Sequence, residues 1–261
     1  MIDNELLLPH VREHPHQLVF ATISGAHLYG FESADSDFDL RGVHVLPVEN
    51  FVGLDEGDRT IEKEGVYDGL EIDLVTHDAE KFIRLMLRPN GYVLEQVLSP
   101  LVVHTTADHE RLKELATGCV TRHHAHHYLG FAASQWKKFL GTASAELPGA
   151  YRLKPLLYVY RVLLTGIYLM QTGRIEANLQ VLAADRKMSF VTELIQQKRT
   201  GTEKGLLEDC SLDFHNRNYN DLHAELQTAH EQSHLREHSA VKGELNQLLV
   251  ELRLRDLQAG L

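Results

Sequence analysis

The sequence predicts an α/β (α+β) chain: a first part mixing short strands with helices, then an all-helical part. Two observations carry this. Apolar or alternating runs at residues 17–24, 38–45 and 60–75 have the two-residue period of strands. Beyond about Asp108 that period vanishes, and apolar residues recur every three or four positions, as along one helix face. The division this implies is residues 1–104 and residues 105–261.

The elements follow in order. An opening helix from Asn4 to Glu13 stops before Pro15. QLVFATIS (17–24) is a mostly apolar strand, and Phe38 to Val45 alternates before turning apolar, a second strand. TIEKEGV and LEIDLVT read as a hairpin around a turn at Tyr67, Asp68 and Gly69. His77 and Asp78 can cap the next helix, where Phe82, Leu85 and Met86 recur at helical spacing. Pro89-Asn90-Gly91 ends it, and another helix runs from Tyr92 to Leu98. Helical periods then cover 108–118, 121–140, 154–172, 178–198 and 218–257, punctuated by Leu147-Pro148-Gly149 and Thr172-Gly173.

Composition sets bounds. Hydrophobic content of 43% and charged content of 24% are those of a chain with a packed core. No stretch reads as the roughly 18 to 20 apolar residues of a membrane span, and no basic-then-apolar leader opens the sequence. Two cysteines, Cys119 and Cys210, give neither a disulfide framework nor a zinc motif, so a reducing cytoplasm is expected. Residues 1–103 hold 7 Lys/Arg against 19 Asp/Glu, while residues 134–204 hold 11 basic and 5 acidic residues. The first imbalance suits divalent cations and the second suits phosphates; a solvated surface explains either equally well.

The informative stretch is ISGAHLYGFESADSDFDLRGVHV (23–45). Asp37 and Asp39 stand at i and i+2 of a strand, so both project from one face, about 6.5 to 7 Å apart along the chain. Such a pair repels itself unless a cation intervenes, and oxygen-only ligands suit Mg²⁺ or Mn²⁺. Glu71 and Asp73 repeat the spacing in the hairpin, so a third carboxylate can join if the strands are neighbours. Before them, Ser24-Gly25-Ala26 ends a strand, and Gly25 lets a phosphate approach the backbone. Taken together these features read as metal-assisted phosphoryl chemistry on a nucleotide; the Asp-x-Asp pair alone would fit a solvated turn.

SGAHLYGFESADSDFDLRGVHV resembles the signature of the DNA polymerase β superfamily of nucleotidyltransferases. More narrowly it is similar to the RNA-ligase-associated (RlaP-like) branch, whose motif runs approximately S-G-S-x-x-Y-G, then S-D-x-D-x-R-G. The likeness continues through IDLVTHDAEKFIRLMLRPNGYVLEQVL and, more weakly, through YLGFAASQWKKFL and KPLLYVYRVLLTGIYLMQTG. The resemblance implies a small mixed-sheet, palm-like catalytic domain followed by a helical domain completing the nucleotide and RNA cleft. It implies that Asp37, Asp39 and Asp73 are catalytic and hold two Mg²⁺ or Mn²⁺ ions. Ser24, Gly25, Ala26 and Ser36 would contact the nucleotide, with Lys154 and Arg161 from a helix that also bears Tyr158. Ala26 departs from the family's serine, which takes a hydroxyl from the nucleotide. Arg41 and Lys81 also match, with a strand-to-helix salt bridge as the competing role, and Glu71 is a reserve ligand. The implied activity is transfer of a nucleoside monophosphate from an NTP to a hydroxyl, an RNA (tRNA-like) 3′ end in RNA repair. Functional association with an RNA ligase, and a monomer or a homodimer, go with it.

Competing patterns remain. RHHAHHY puts His123 and His127 at i and i+4, a spacing that can bind metal, although 17 histidines make chance clustering easy. Arg122 to His127 and Arg217 to His223 loosely resemble the ribonuclease motif of HEPN-type helical domains of toxin–antitoxin pairs. A protein-modifying nucleotidyltransferase, a helical ribonuclease and a non-catalytic nucleotide- or RNA-binding module are the alternatives. The leucines from Leu222 to Leu252 form a packing face first and a dimer seam second.

Overall fold

Strands form where the sequence alternates, and their hydrogen bonding decides which carboxylates meet. The computed structural model describes residues 4–67, 69–143, 149–202, 205–207 and 210–259. Asp68, Leu147 and Pro148, where turns are expected, lie outside the described residues. The chain runs α1 (Asn4–Arg12), β1 (Leu18–Ile23), α2 (Gly25–Tyr29), β2 (Phe38–His44) and α3 (Glu49–Val52). The hairpin β3 (Thr60–Tyr67) and β4 (Leu70–Asp78) follows, then α4 (Ala79–Met86), α5 (Gly91–Val97), β5 (Val102–His104) and α6 (Ala107–Cys119). Beyond these come α7 (His124–Leu140), β6 (Tyr151–Arg152), α8 (Leu153–Thr172), α9 (Leu179–Asp185) and α10 (Ser189–Thr200). The short β7 (Leu206–Leu207), α11 (Leu212–Gln232) and α12 (Lys242–Ala259) complete the order.

The architecture is the mixed α+β expected. Five strands form one sheet in the order β3-β4-β2-β1-β5. β2 and β4 are parallel, and the other pairings are antiparallel. Packing divides the chain into two units. One comprises Met1–Gly25, Asp37–Val120 and His238–Leu261; the other comprises Ala26–Ser36 and Thr121–Glu237. The units are interleaved in sequence and do not follow a cut at 104/105. α6 packs on β1 and α5, and α12 packs on α4 and α6, so both belong with the sheet.

In the first unit, Leu7, Val11, Leu18, Ile23, Leu40, Ile72 and Leu74 form a core on one face of the sheet. In β4, Ile72, Leu74, Thr76 and Asp78 are buried while Asp73, Val75 and His77 are half-buried, the alternation of a strand with one covered face. Asp78 caps α4 by accepting from the Glu80 backbone N–H at 3.0 Å. It also receives both Nη2 contacts of Arg253, at 2.6 and 2.7 Å, while Arg253 Nη1 donates to the Leu46 carbonyl at 2.8 Å. The guanidinium lies 4.1 Å from the Phe51 ring centre. One residue of α12 thus closes a strand end, a helix cap and a loop.

Three expectations are corrected. Residues 178–198 are two helices, because Lys187 adopts φ +55° between α9 and α10 and breaks the hydrogen-bond run. Residues 218–257 are not one helix either; α11 ends at Gln232 and α12 begins at Lys242. Their leucines therefore serve different units: Leu222 and Leu226 in one, Leu245, Leu248 and Leu252 in the other. Finally, α8 is long and apolar enough to cross a membrane by length and composition, although the sequence reading found no such stretch. Inside the protein 83% of that window is buried, because α7, α9, α10 and α11 pack around it.

Arg253→Met strips a fully buried carboxylate of its partner and should destabilise the protein by about 3–5 kcal/mol. Arg255→Ala, which breaks a more exposed pair with Asp108, should cost less than about 1 kcal/mol. Urea midpoints of the two variants check the contrast, and equal losses contradict it. A second expectation concerns acid. Burial is the leading cause that pushes His44 and His109 down to about 4, with the nearby His14 adding to it for His44. Each ring Nε2 donates to a carbonyl, Asp58 and Val97 respectively, so Nδ1 accepts from Thr76 and Thr105. The unfolded value is about 6.5, so this stability is complete above that pH and is lost as pH falls toward 4. Thermal melts across that window should decline, and should decline less in His109→Gln than in the parent.

Candidate active site

The site is built on adjacent strands of the first unit. β2 and β4 pair in parallel, and their register sets Asp39 directly against Asp73. β3 and β4 set Glu64 against Asp73, and the Ser24 backbone N–H donates to the Asp39 carbonyl at 2.8 Å. Ser24, Asp39, Asp73 and Glu64 therefore form one row across the sheet, three of them carboxylates. Side chains paired in register share a face.

Arg41 ties the two aspartates of the row together. It lies two residues beyond Asp39, hence on the same face. Its Nη2 donates to Asp39 Oδ1 and to Asp73 Oδ2, both at 2.6 Å. Its Nη1 donates to the carbonyls of Leu40 (2.9 Å) and Asp73 (2.7 Å). Burial works against the Arg41 charge, yet Tyr92, Asp39 and Asp73 together raise its pKa above the ordinary guanidinium value. Its ion pairs thus run across the sheet, whereas Lys81 donates to Thr60 Oγ1.

Asp39 and Asp73 each give one oxygen to Arg41. Of the remaining two, Asp73 Oδ1 is buried with no hydrogen-bond partner among the described residues. Asp39 Oδ2 lies against Gly25, where an added Cβ would come within 1.7 Å of it. Gly25 has φ +61°, so both backbone conformation and space demand glycine there. A loop is expected at this point, and the chain instead begins the short helix α2. Ser24 is fully buried and its Oγ also lacks a hydrogen-bond partner among the described residues. An all-oxygen donor set with an orphaned carboxylate oxygen fits Mg²⁺ or Mn²⁺.

The other expected residues are distributed as follows. Asp37 directly precedes β2 and is half-buried, and Glu71 is exposed. Ala26 is 2% exposed. Ser36 closes a turn, its backbone N–H donating to the Ser33 carbonyl and its Oγ accepting from the Ser33 N–H, both at 3.0 Å. Lys198 anchors that turn through Ser33 Oγ at 2.6 Å. Lys154, Tyr158 and Arg161 all lie on α8, in the unit that also holds Ala26 and Ser36. Arg161 is buried with its guanidinium 4.0 Å from the Tyr29 ring centre, the geometry of a cation–π contact. Glu64 is the residue that sequence reasoning missed. Tyr67 pairs with Leu70, and counting back from there pairs 64 with 73.

Comparison with known proteins bears on this arrangement. The model of the family described as RlaP, RNA repair pathway DNA polymerase beta family, matches residues 2–251. The uncharacterized protein MJ0002 of Methanocaldococcus jannaschii is 32% identical over 170 residues, which span 61% of this chain and 63% of that protein. The uncharacterized protein YcgL of Bacillus subtilis is 28% identical over 200 residues, 73% of each chain. A nucleotidyltransferase-like protein from Exiguobacterium sibiricum of solved structure superposes with a TM-score of 0.34 at 10% identity, covering 98% of this chain and 87% of that one. With a match extending over nearly the whole sequence, the chain belongs to the RlaP family, the DNA polymerase beta family of an RNA repair pathway.

Proposed function

We propose that the protein is a metal-dependent nucleotidyltransferase that moves a nucleoside monophosphate from an NTP onto the 3′ hydroxyl of an RNA, tRNA-like in form, during RNA repair. One observation carries the reading: Asp39 and Asp73 stand side by side on parallel strands, and Asp73 keeps a second, buried oxygen with no hydrogen-bond partner among the described residues. The family's description supports RNA as the acceptor.

In this reading Asp37, Asp39 and Asp73 hold two Mg²⁺ or Mn²⁺ ions. Such ions, when bound, offset the triphosphate charge and favour departure of pyrophosphate. Arg41 keeps the carboxylates turned to one face and offsets their repulsion in the absence of substrate. Asp73, directly or through the ion it holds, would assist removal of the acceptor's hydroxyl proton as the acceptor oxygen bonds to the α-phosphorus and the bond from the α-phosphorus to pyrophosphate breaks. Ser24, Gly25 and Ala26 receive the phosphates, chiefly through backbone N–H groups, which need no hydroxyl at residue 26. Lys154 enters the proposal as a nucleotide-binding cation on the family resemblance alone. Arg161, stacked on Tyr29, fixes the segment after Gly25, and Ser36 steadies the approach to Asp37. A cytoplasmic setting and cooperation with an RNA ligase belong to the same proposal.

The test incubates the protein with each α-labelled NTP, Mg²⁺ or Mn²⁺, and an RNA pool that includes tRNA. Label should enter RNA, and Asp37→Ala and Asp73→Asn should each lower it by at least about 100-fold. Label in protein would move the acceptor to a side-chain hydroxyl. RNA shortening that survives Asp37→Ala would replace the proposal with a helical ribonuclease, and nucleotide binding without any product would leave a non-catalytic module. Gly25→Ala drives a methyl into Asp39, and displacement of a reacting group by about 1 Å costs on the order of 100-fold. Its labelling should fall by that much while far-UV circular dichroism stays that of the parent.

A further inference from the structure

Three histidines of the second unit converge on one point. His123 is the N-cap of α7 but makes no capping bond with its side chain. His126 is one turn further along α7, and His230 lies in the last turn of α11. One ring nitrogen of each lies within 4.8 Å of those of the other two. The ring of His126 is 4.6 Å from that of His230 and 6.1 Å from that of His123. His230 Nε2 is buried and has no hydrogen-bond partner among the described residues. Glu237 reaches His123 Nε2 with Oε2 at 2.8 Å. Arg122 donates to Glu237 Oε1 at 3.2 Å and to the His230 carbonyl at 2.9 Å, so the backbone around the histidines is already tied.

We propose that His123, His126 and His230 form a Zn²⁺ site, with Glu237 as its anionic partner, that clasps the start of α7 to the end of α11. Nitrogen donors favour zinc and its late first-row neighbours over magnesium, which separates this site from the oxygen set on the sheet. Tetrahedral Zn–N bonds of about 2.0–2.1 Å put ligand nitrogens about 3.3 Å apart. Side-chain rotation of the exposed His126 closes the remaining distance. The guanidinium of Arg122 opposes a cation here, and the carboxylate of Glu237 offsets it. The partner of His123 is His126 rather than His127, whose ring packs against Tyr128 and Phe131. An i,i+3 pair with a distant third histidine leaves no contiguous signature in the sequence.

The full-length protein, stripped with chelator and dialysed, is titrated with Zn²⁺ alone, and separately with Mg²⁺. Metal retained after gel filtration is counted by mass spectrometry, and melting temperatures are recorded with and without metal. One zinc per chain should be retained and should raise the melting temperature. His126→Ala, at an exposed position, and His230→Gln should each weaken zinc binding at least about tenfold, as should Glu237→Gln. Asp73→Asn should bind zinc as the parent does. No retained zinc, retention unchanged in both histidine variants, or loss in Asp73→Asn instead would overturn the site. A melting temperature that zinc binding leaves unmoved would overturn the clasp.

Discussion

Two like charges placed in register on neighbouring strands are the constraint around which the first unit is arranged. Strands lie about 4.8 Å apart, and at 4 Å two unit charges interact by about 4 kcal/mol in surroundings of effective dielectric about 20. The row that includes Asp39 and Asp73 is tenable only with a cation between them. Arg41 is that cation, and its position two residues after Asp39 is what lets it serve both strands. The register of β2 against β4 is therefore fixed twice, by the apolar residues of one face and by the ion pairs of the other. A slip of one residue would expose Ile72 and Leu74 and turn Asp73 into the core.

The same strand ends in a second arginine–carboxylate device. Asp73 pairs with an arginine of the neighbouring strand, Asp78 with Arg253 from the last helix. The two differ in burial, and the difference assigns their roles. Asp78 is fully buried and its bonding is structural: a helix cap, a loop N–H and one arginine nitrogen that reaches both its oxygens. The Asp73 side chain is 26% exposed and keeps one oxygen unpartnered among the described residues. A carboxylate held by one oxygen is oriented yet able to accept a further ligand. One held by both is spent. The acidic excess of residues 1–103 thus includes carboxylates of both kinds, which net charge alone does not distinguish.

The strands β2, β3 and β4 were legible because alternation marks each of them and the hairpin joins the last two. The meeting of Asp39 with Asp73, by contrast, depended on β2 and β4 being neighbours, which the sequence left open. The third partner was harder. Arg41 matched the family motif, but nothing in its sequence neighbourhood says whether it reaches a helix or crosses the sheet, because that depends on β2 and β4 being parallel neighbours. β5 was missed because three residues are too few to show a period, and α2 because Gly25 and Gly30 read as loop punctuation. The helix breaks at Lys187 and after Gln232 escaped notice for the opposite reason: leucine spacing continues through them, although the leucines serve different packing surfaces. Periodicity reports that a residue is buried, not which neighbour buries it.

In the proposed nucleotidyltransferase, Ala26 marks where recognition by backbone parts from recognition by side chain. A serine hydroxyl at a position 2% exposed would need a partner supplied by ligand or protein, and alanine removes that requirement. Ser24 nevertheless keeps a buried hydroxyl without a hydrogen-bond partner among the described residues, two positions earlier. If the backbone N–H groups bear most of a phosphate's charge, the side chain at 26 tunes affinity, whereas the absence of one at 25 is indispensable. Gly25 stands at positive φ with Asp39 Oδ2 in the volume its Cβ would fill, so turn and carboxylate are mutually fitted. The tolerance at one residue and the intolerance at its neighbour follow from one geometry: a carboxylate packed against bare backbone.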